Sequence, residues 1–190
     1  MATGLSTGSC INALKALAEL GLLTSARVRG PGSARSVVDR DALLDAYAAA
    51  VHAFPARVSL VVGLAPRDLV KGLHDVGVEW TRGGLDWAAT GAAAAALLAP
   101  FATNIGSVEV YVDARTPADL VAVAARAGLK PIEGGRLTLR PFPSMTTSRM
   151  AQEVDGIRVA PWPRVYADVS RVGVRGEELA EHLREVVRGR

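Results

Sequence analysis

The stretch Gly4 to Leu23 (GLSTGSCINALKALAELGLL) restricts this chain's folding choices more than any other. Ser6 or Thr7 can accept the unpaired backbone N–H groups of a helix start, and apolar residues then recur at Cys10, Ala13, Leu14, Leu17 and Leu20. At about 100° per residue these positions share one helical face, while Gly8, Ile11, Asn12, Lys15 and Glu19 share the other. Gly21 suits the left-handed conformation that ends a helix, and Leu22-Leu23 opens a new apolar run. The expectation is an amphipathic helix with one side to bury and a short, lightly charged side to present.

The residues after Gly21 give that helix a context. Leu22 to Arg29 reads as a strand, Gly30-Pro31-Gly32-Ser33 as a turn and Ala34 to Val38 as a return strand. Arg27, Arg29 and Arg35 flank the turn, where cations meet phosphates or enter a minor groove, although a solvated hairpin tip is also basic. The chain's net charge is +3, and Lys15, Arg27, Arg29 and Arg35 against Glu19 leave the same +3 in residues 1–36. The remaining residues therefore balance. A helix of this size fits a DNA major groove.

Gly4 to Leu23, followed by RGPGSARSVVDRDALLDAY at 29–47, resembles the winged helix-turn-helix of bacterial transcriptional regulators. Further on, DWAATGAAAAALLAP at 86–100, VEVYVDA at 108–114, GIRVAPWPRVYADV at 156–169 and RGEELAEHL at 175–183 resemble the AbiEi-type antitoxins of type IV toxin-antitoxin systems. The resemblance implies repression of the protein's own operon through inverted repeats. It also implies counteraction of a nucleotidyltransferase toxin without a tight complex.

On this reading the residues facing double-stranded DNA are Ser6, Thr7, Ser9, Ile11, Asn12 and Lys15 of the helix, with Arg27, Arg29 and Arg35 of the wing. Asn12 can bond adenine bidentately, Lys15 can reach guanine or phosphate, and Ile11 can meet a thymine methyl. One such helix touches few base pairs, and the sequence holds no second copy, so two protomers are expected per operator. A helix-turn-helix also needs a bracing first helix, and only Met1 to Thr3 precede Gly4. Either the start is truncated or misassigned, or a partner subunit supplies the brace.

The fold expected is α/β or α+β, with a winged helix over residues 1–54 and a mixed α/β domain with a small sheet over 55–190. Asp39 or Asp41 can cap a helix from Asp41 to Phe54, and Pro55 ends it. The second part then reads as a strand at Arg57 to Leu64, a helix at Pro66 to Val76, a Gly83-Gly84 loop and a helix from Asp86 to Leu98 capped by Asp86. A strand at Val108 to Val112, a helix at Pro117 to Ala127 and a strand at Leu137 to Arg140 come next. The last elements are a strand at Ile157 to Ala160 and helices at Pro163 to Val172 and Glu177 to Val187. In the last of these, Glu177, Glu178 and Glu181 precede Arg184 and Arg188, an order that suits the helix dipole.

Several chemistries find no support. There is no G-x-x-x-x-G-K-[ST] phosphate loop and no G-x-S-x-G nucleophile turn. Gly106-Ser107 before Glu109 and Asp113 faintly resembles a nucleotidyltransferase opening, but no closely spaced carboxylate pair follows to hold metal ions, and Lys130 has no matching strand position for a nuclease. Asp155, Arg164 and Asp168 could cluster, with salt bridges the expected use. His52, His74 and His182 lack ligand spacing, and the single Cys10 excludes an internal disulfide. Neither a cofactor nor catalysis is expected. The apolar run Trp87 to Pro100 falls short of the ~20 residues that span a bilayer, and with no signal segment a reduced cytoplasm is expected.

Overall fold

The computed structural model describes residues 6–25, 34–55, 58–65, 68–100 and 105–189. The chain is a mixed α/β protein in which the described residues form eight helices, a two-stranded ribbon and a six-stranded mixed sheet.

The first helix, α1 (Thr7–Glu19), is capped as its sequence dictates: the Ser6 hydroxyl accepts the Ser9 N–H at 3.1 Å. At its far end Gly21, at φ 72°, lets the Leu22 N–H reach the Leu17 carbonyl and the Gly21 N–H reach that of Ala18, a Schellman ending. β1 (Leu23–Ser25) and β2 (Arg35–Val37) pair antiparallel, Leu23 opposite Val37. Residues 26–33, which include Arg27 and Arg29, lie outside the described residues.

One expectation is overturned in this unit. The apolar face of α1 is not buried: no residue of the helix is, Leu20 is 70% exposed, and Cys10 and Leu17 are only half-buried. Among the described residues the main packing partner of α1 is the short β1 strand of the ribbon, which is too small to cover a helical face.

The next helix, α2 (Arg40–Ala53), starts at Asp39, whose carboxylate accepts the Asp41 and Ala42 N–H groups. It packs its buried Leu44 and Ala48 toward the later helices rather than toward α1.

The large sheet holds β3 (Leu60–Val62), β4 (Trp87–Thr90), β5 (Val108–Val112), β6 (Leu137–Pro141), β7 (Gln152–Val154) and β8 (Ile157–Val159) in the order β3-β6-β5-β4-β8-β7. The β5/β6 and β4/β8 pairs are parallel and the others antiparallel. Side-chain alternation sorts its two faces. Val108, Val110, Val112, Leu137, Leu139 and Trp87 point to the side covered by α3 (Leu69–Arg82) and α5 (Pro117–Arg126). There Trp80 is fully buried, donates to the Val123 carbonyl at 3.0 Å and packs on Trp87 at 6.0 Å between ring centroids. Gly77 is needed where α3 crosses Trp87, since a Cβ there would lie 2.1 Å from the ring. The other face carries Thr90, Glu109, Tyr111 and Arg140 beneath α4 (Gly91–Leu98) and α7 (Trp162–Val169).

Several boundaries differ from the sequence expectation, among them the strand expected at 57–64, which is Leu60–Val62, and the helix expected at 163–172, which is Trp162–Val169. Asp86 to Leu98 is not one helix: Trp87–Thr90 forms a central strand, and only Gly91–Leu98 is helical. Asp86 does not cap a helix, because its carboxylate is held by Arg158 and Ser148. α3 begins at Leu69, capped by Asp68, and runs on to Arg82, because its apolar side stays against the sheet throughout. The final helix, α8 (Gly173–Arg188), begins a turn before Glu177, and Arg184 and Arg188 reach Asp45 and Asp41 of α2, so these arginines tie two helices together. A short helix, α6 (Met145–Arg149), and β7 were not legible at all. β7 turns into β8 through Asp155 and Gly156, both at positive φ, as a two-residue hairpin requires.

Candidate functional site

Two places in the molecule can carry function. The first is the outward side of α1, where Ser6, Thr7, Ser9, Ile11, Asn12 and Lys15 are all exposed. The Arg35 guanidinium of the ribbon donates to the Leu14 carbonyl of the same helix at 3.3 Å. Arg35 thus fastens the ribbon to the helix. Arg27 and Arg29, expected to complete this surface, fall outside the described residues.

The second place is a polar cluster between the sheet and α7. Arg164 and Asp168 are one helical turn apart, and both point at the sheet. The Asp168 carboxylate, 4% exposed, accepts from the Arg164 guanidinium at 2.9 and 3.2 Å, from the Tyr111 hydroxyl at 2.7 Å and from the Thr90 hydroxyl at 2.5 Å. Thr90 stands at the cap position of α4 but makes no side-chain cap bond there, since its hydroxyl is given to Asp168. Arg164 also donates to the Tyr111 hydroxyl at 2.8 Å and lies over that ring. One register position along, Glu109 pairs with Arg140 at 3.0 Å.

This environment sets the ionisation of its members. Burial, with the Asp168 charge added, pushes the Tyr111 phenol well above its ordinary value, so it stays a donor. For Arg164, burial opposes the cation, but the Asp168 charge and Tyr111 outweigh it and hold the guanidinium protonated. Burial also raises the Glu109 carboxyl, against the pull of Arg140 and with the push of Asp168. Tyr47 of α2 is raised by burial too, with Arg164 opposing.

A cavity of about 300 Å³ opens beside the cluster, between Val51 and Pro55 at the end of α2, Ser59, the Glu109–Arg140 pair and Arg164, Asp168 and Arg171. Its charged lining is three guanidiniums against two carboxylates. A second, more open hollow of about 470 Å³ lies across Arg164 and is walled by Tyr47, Met150 and Trp162.

The sequence paired Arg164 with Asp168 correctly in space, but Asp155 is not with them: it sits in the β7–β8 turn. Asp113 is exposed past the end of β5 and Lys130 is exposed after α5, so neither joins Glu109. Each histidine has its own neighbour: His52 the Ala167 carbonyl at 2.7 Å, His74 the Asp75 carboxylate at 3.5 Å, and His182 the Pro100 carbonyl at 3.2 Å. Thr90, Tyr111, Arg140 and Arg171 escaped the sequence reading. The i, i+2 placement of Glu109 and Tyr111 on a strand was the one available signal.

Among the described residues no group of three or more His, Cys, Asp or Glu could hold a metal ion, and no helix is long and apolar enough to cross a membrane. Compared with family models, curated proteins and solved structures, the chain matches none.

Proposed function

We propose that this protein is a sequence-specific DNA-binding transcriptional regulator whose α1 and ribbon contact double-stranded DNA. The observation that carries this reading is α1 itself, a helix capped at both ends, followed directly by an antiparallel ribbon and buried at no residue. A 13-residue helix is marginal alone in water, and such a helix gains its packing from whatever it docks against. Its outward polar side and the basic ribbon match a major groove and its flanking phosphates. The AbiEi-type resemblance extends the reading to an antitoxin that represses its own operon, and this extension rests on the sequence alone.

The exposed Leu20, Val37 and Val38 favour a second reading, in which the same unit docks a protein partner. Gel-shift titration with the DNA immediately upstream of the coding sequence, against random DNA, separates the two. On the first reading the upstream DNA binds more tightly, and Asn12→Ala narrows that preference by the ~1–3 kcal/mol of a base contact while sparing random DNA. Equal binding to both DNAs by the wild-type chain, or no binding, removes the first reading.

A further inference from the structure

We infer that the cavity beside the Arg164–Asp168 cluster is a binding site for a small molecule carrying a carboxylate or phosphate group. Its charges do not balance. Arg164 is spent: Asp168 neutralises it, and two hydroxyls complete that carboxylate's acceptor sites. Arg140 is half spent, since one of its nitrogens meets Glu109 while the rest of its donor fork is free to turn to the cavity. Arg171 lines the same cavity and meets no carboxylate among the described residues. The lining therefore carries one unanswered positive charge, with unused guanidinium donors from two different elements converging on one space.

The Arg164–Asp168 wall of that space is held from behind, by residues that do not line it. Tyr111 and Thr90 are buried and fixed by Asp168, and Asp168 holds Arg164, so the wall cannot rearrange to cancel the excess charge from within. The volume, about 300 Å³, stands at the lower end of small-molecule sites. Guanidinium forks match the planar carboxylate and the phosphate oxygens alike. An oxyanion between Arg140 and Arg171, with the Ser59 hydroxyl as a further donor, would answer the charge.

The test needs no DNA and so stands or falls apart from the regulator reading. The full chain, labelled with ¹⁵N, is titrated with sodium phosphate and separately with sodium acetate, chloride holding the ionic strength constant. Saturable shifts at the amides of Glu109, Arg140 and Ala167 to Val172 are expected with one or both anions. Saturation by phosphate alone points to a phosphate ester, and by acetate alone to a carboxylic acid. Arg171→Ser, at an exposed position that leaves the core intact, should weaken the binding about tenfold, the scale of one lost charge-assisted hydrogen bond. Glu109→Gln should strengthen it, because it removes the facing negative charge and frees Arg140. Non-saturating shifts with both anions, or saturable binding untouched in Arg171→Ser, would overturn the inference.

Discussion

The helix and ribbon at the N-terminus and the six-stranded body obey the same local rules yet differ in what holds them. α1 has a serine cap and a glycine ending as good as any in the molecule, and not one of its residues is buried. α3 has an equally ordinary aspartate cap and buries Leu69, Leu73, Val76 and Trp80. Caps contribute about 1 kcal/mol each, whereas burying one large apolar side chain contributes about 1.5–3 kcal/mol. The body is therefore held by its core, and the N-terminal unit by local bonds that leave its surface available. The proposed recognition surface and the scaffold make opposite uses of their apolar residues.

The largest effect that probes this contrast is expected in the body. Trp80→Ala removes a fully buried indole and the bond to Val123, and should cost about 3–5 kcal/mol in denaturant unfolding. A loss below about 1 kcal/mol would mean that the core does not hold the body as described. Asp168→Ala comes next. It leaves Arg164, Tyr111 and Thr90 without their acceptor, at about 3 kcal/mol, the low edge for a broken buried pair because Arg164 keeps access to the cavity.

Glu109 sharpens the comparison through pH. Its folded-state carboxyl is raised above the ordinary 4.5 by burial, so the fold holds that proton more tightly than the unfolded chain does. The stability it contributes is fully present below 4.5 and falls as pH rises through the raised value. Glu109→Gln should therefore gain stability relative to wild type as pH increases across that window and hold a constant difference above it. Urea melts at a series of pH values would show this, and a difference that is flat with pH would refute it.

The smallest effect belongs to the N-terminal unit. A chain beginning at Asp39, which keeps the cap of α2, should melt within about 3 °C of the full protein, since little of the core is lost. A larger drop would place hidden stabilising contacts between that unit and the body. Retained DNA binding by the shortened chain would remove α1 and the ribbon from the regulator reading.

Much of the local structure was legible because it is written in neighbouring residues. Ser6 and Gly21 bracket α1, Thr116 and Asp119 form a reciprocal capping box at α5, and the runs at 108–112 and 137–140 became β5 and β6. Other elements depended on partners distant in the chain. Trp87–Thr90 has the alanine-rich look of a helix, yet it is a strand because β5 and β8 offer backbone pairing on both sides and helices cover both faces. The apolar stripe of α1 promised burial, but periodicity states only which side would be buried, and a covering element must exist for burial to result.

The polar cluster shows the same division. Asp155, Arg164 and Asp168 were grouped from the sequence, and of these Arg164 and Asp168 meet because a helix brings i, i+4 residues together. Thr90, Glu109, Tyr111 and Arg140 reach the same site from three strands whose register is set across 50 residues of chain, and no local pattern encodes it. Sequence by itself determined the caps, the turns and the spacing along single elements, since those are short-range steric and hydrogen-bonding choices. Which strand lies beside which, which face is covered and which charges are driven together were decided only by the tertiary structure, because pairing and desolvation arise from contacts between segments far apart in the chain.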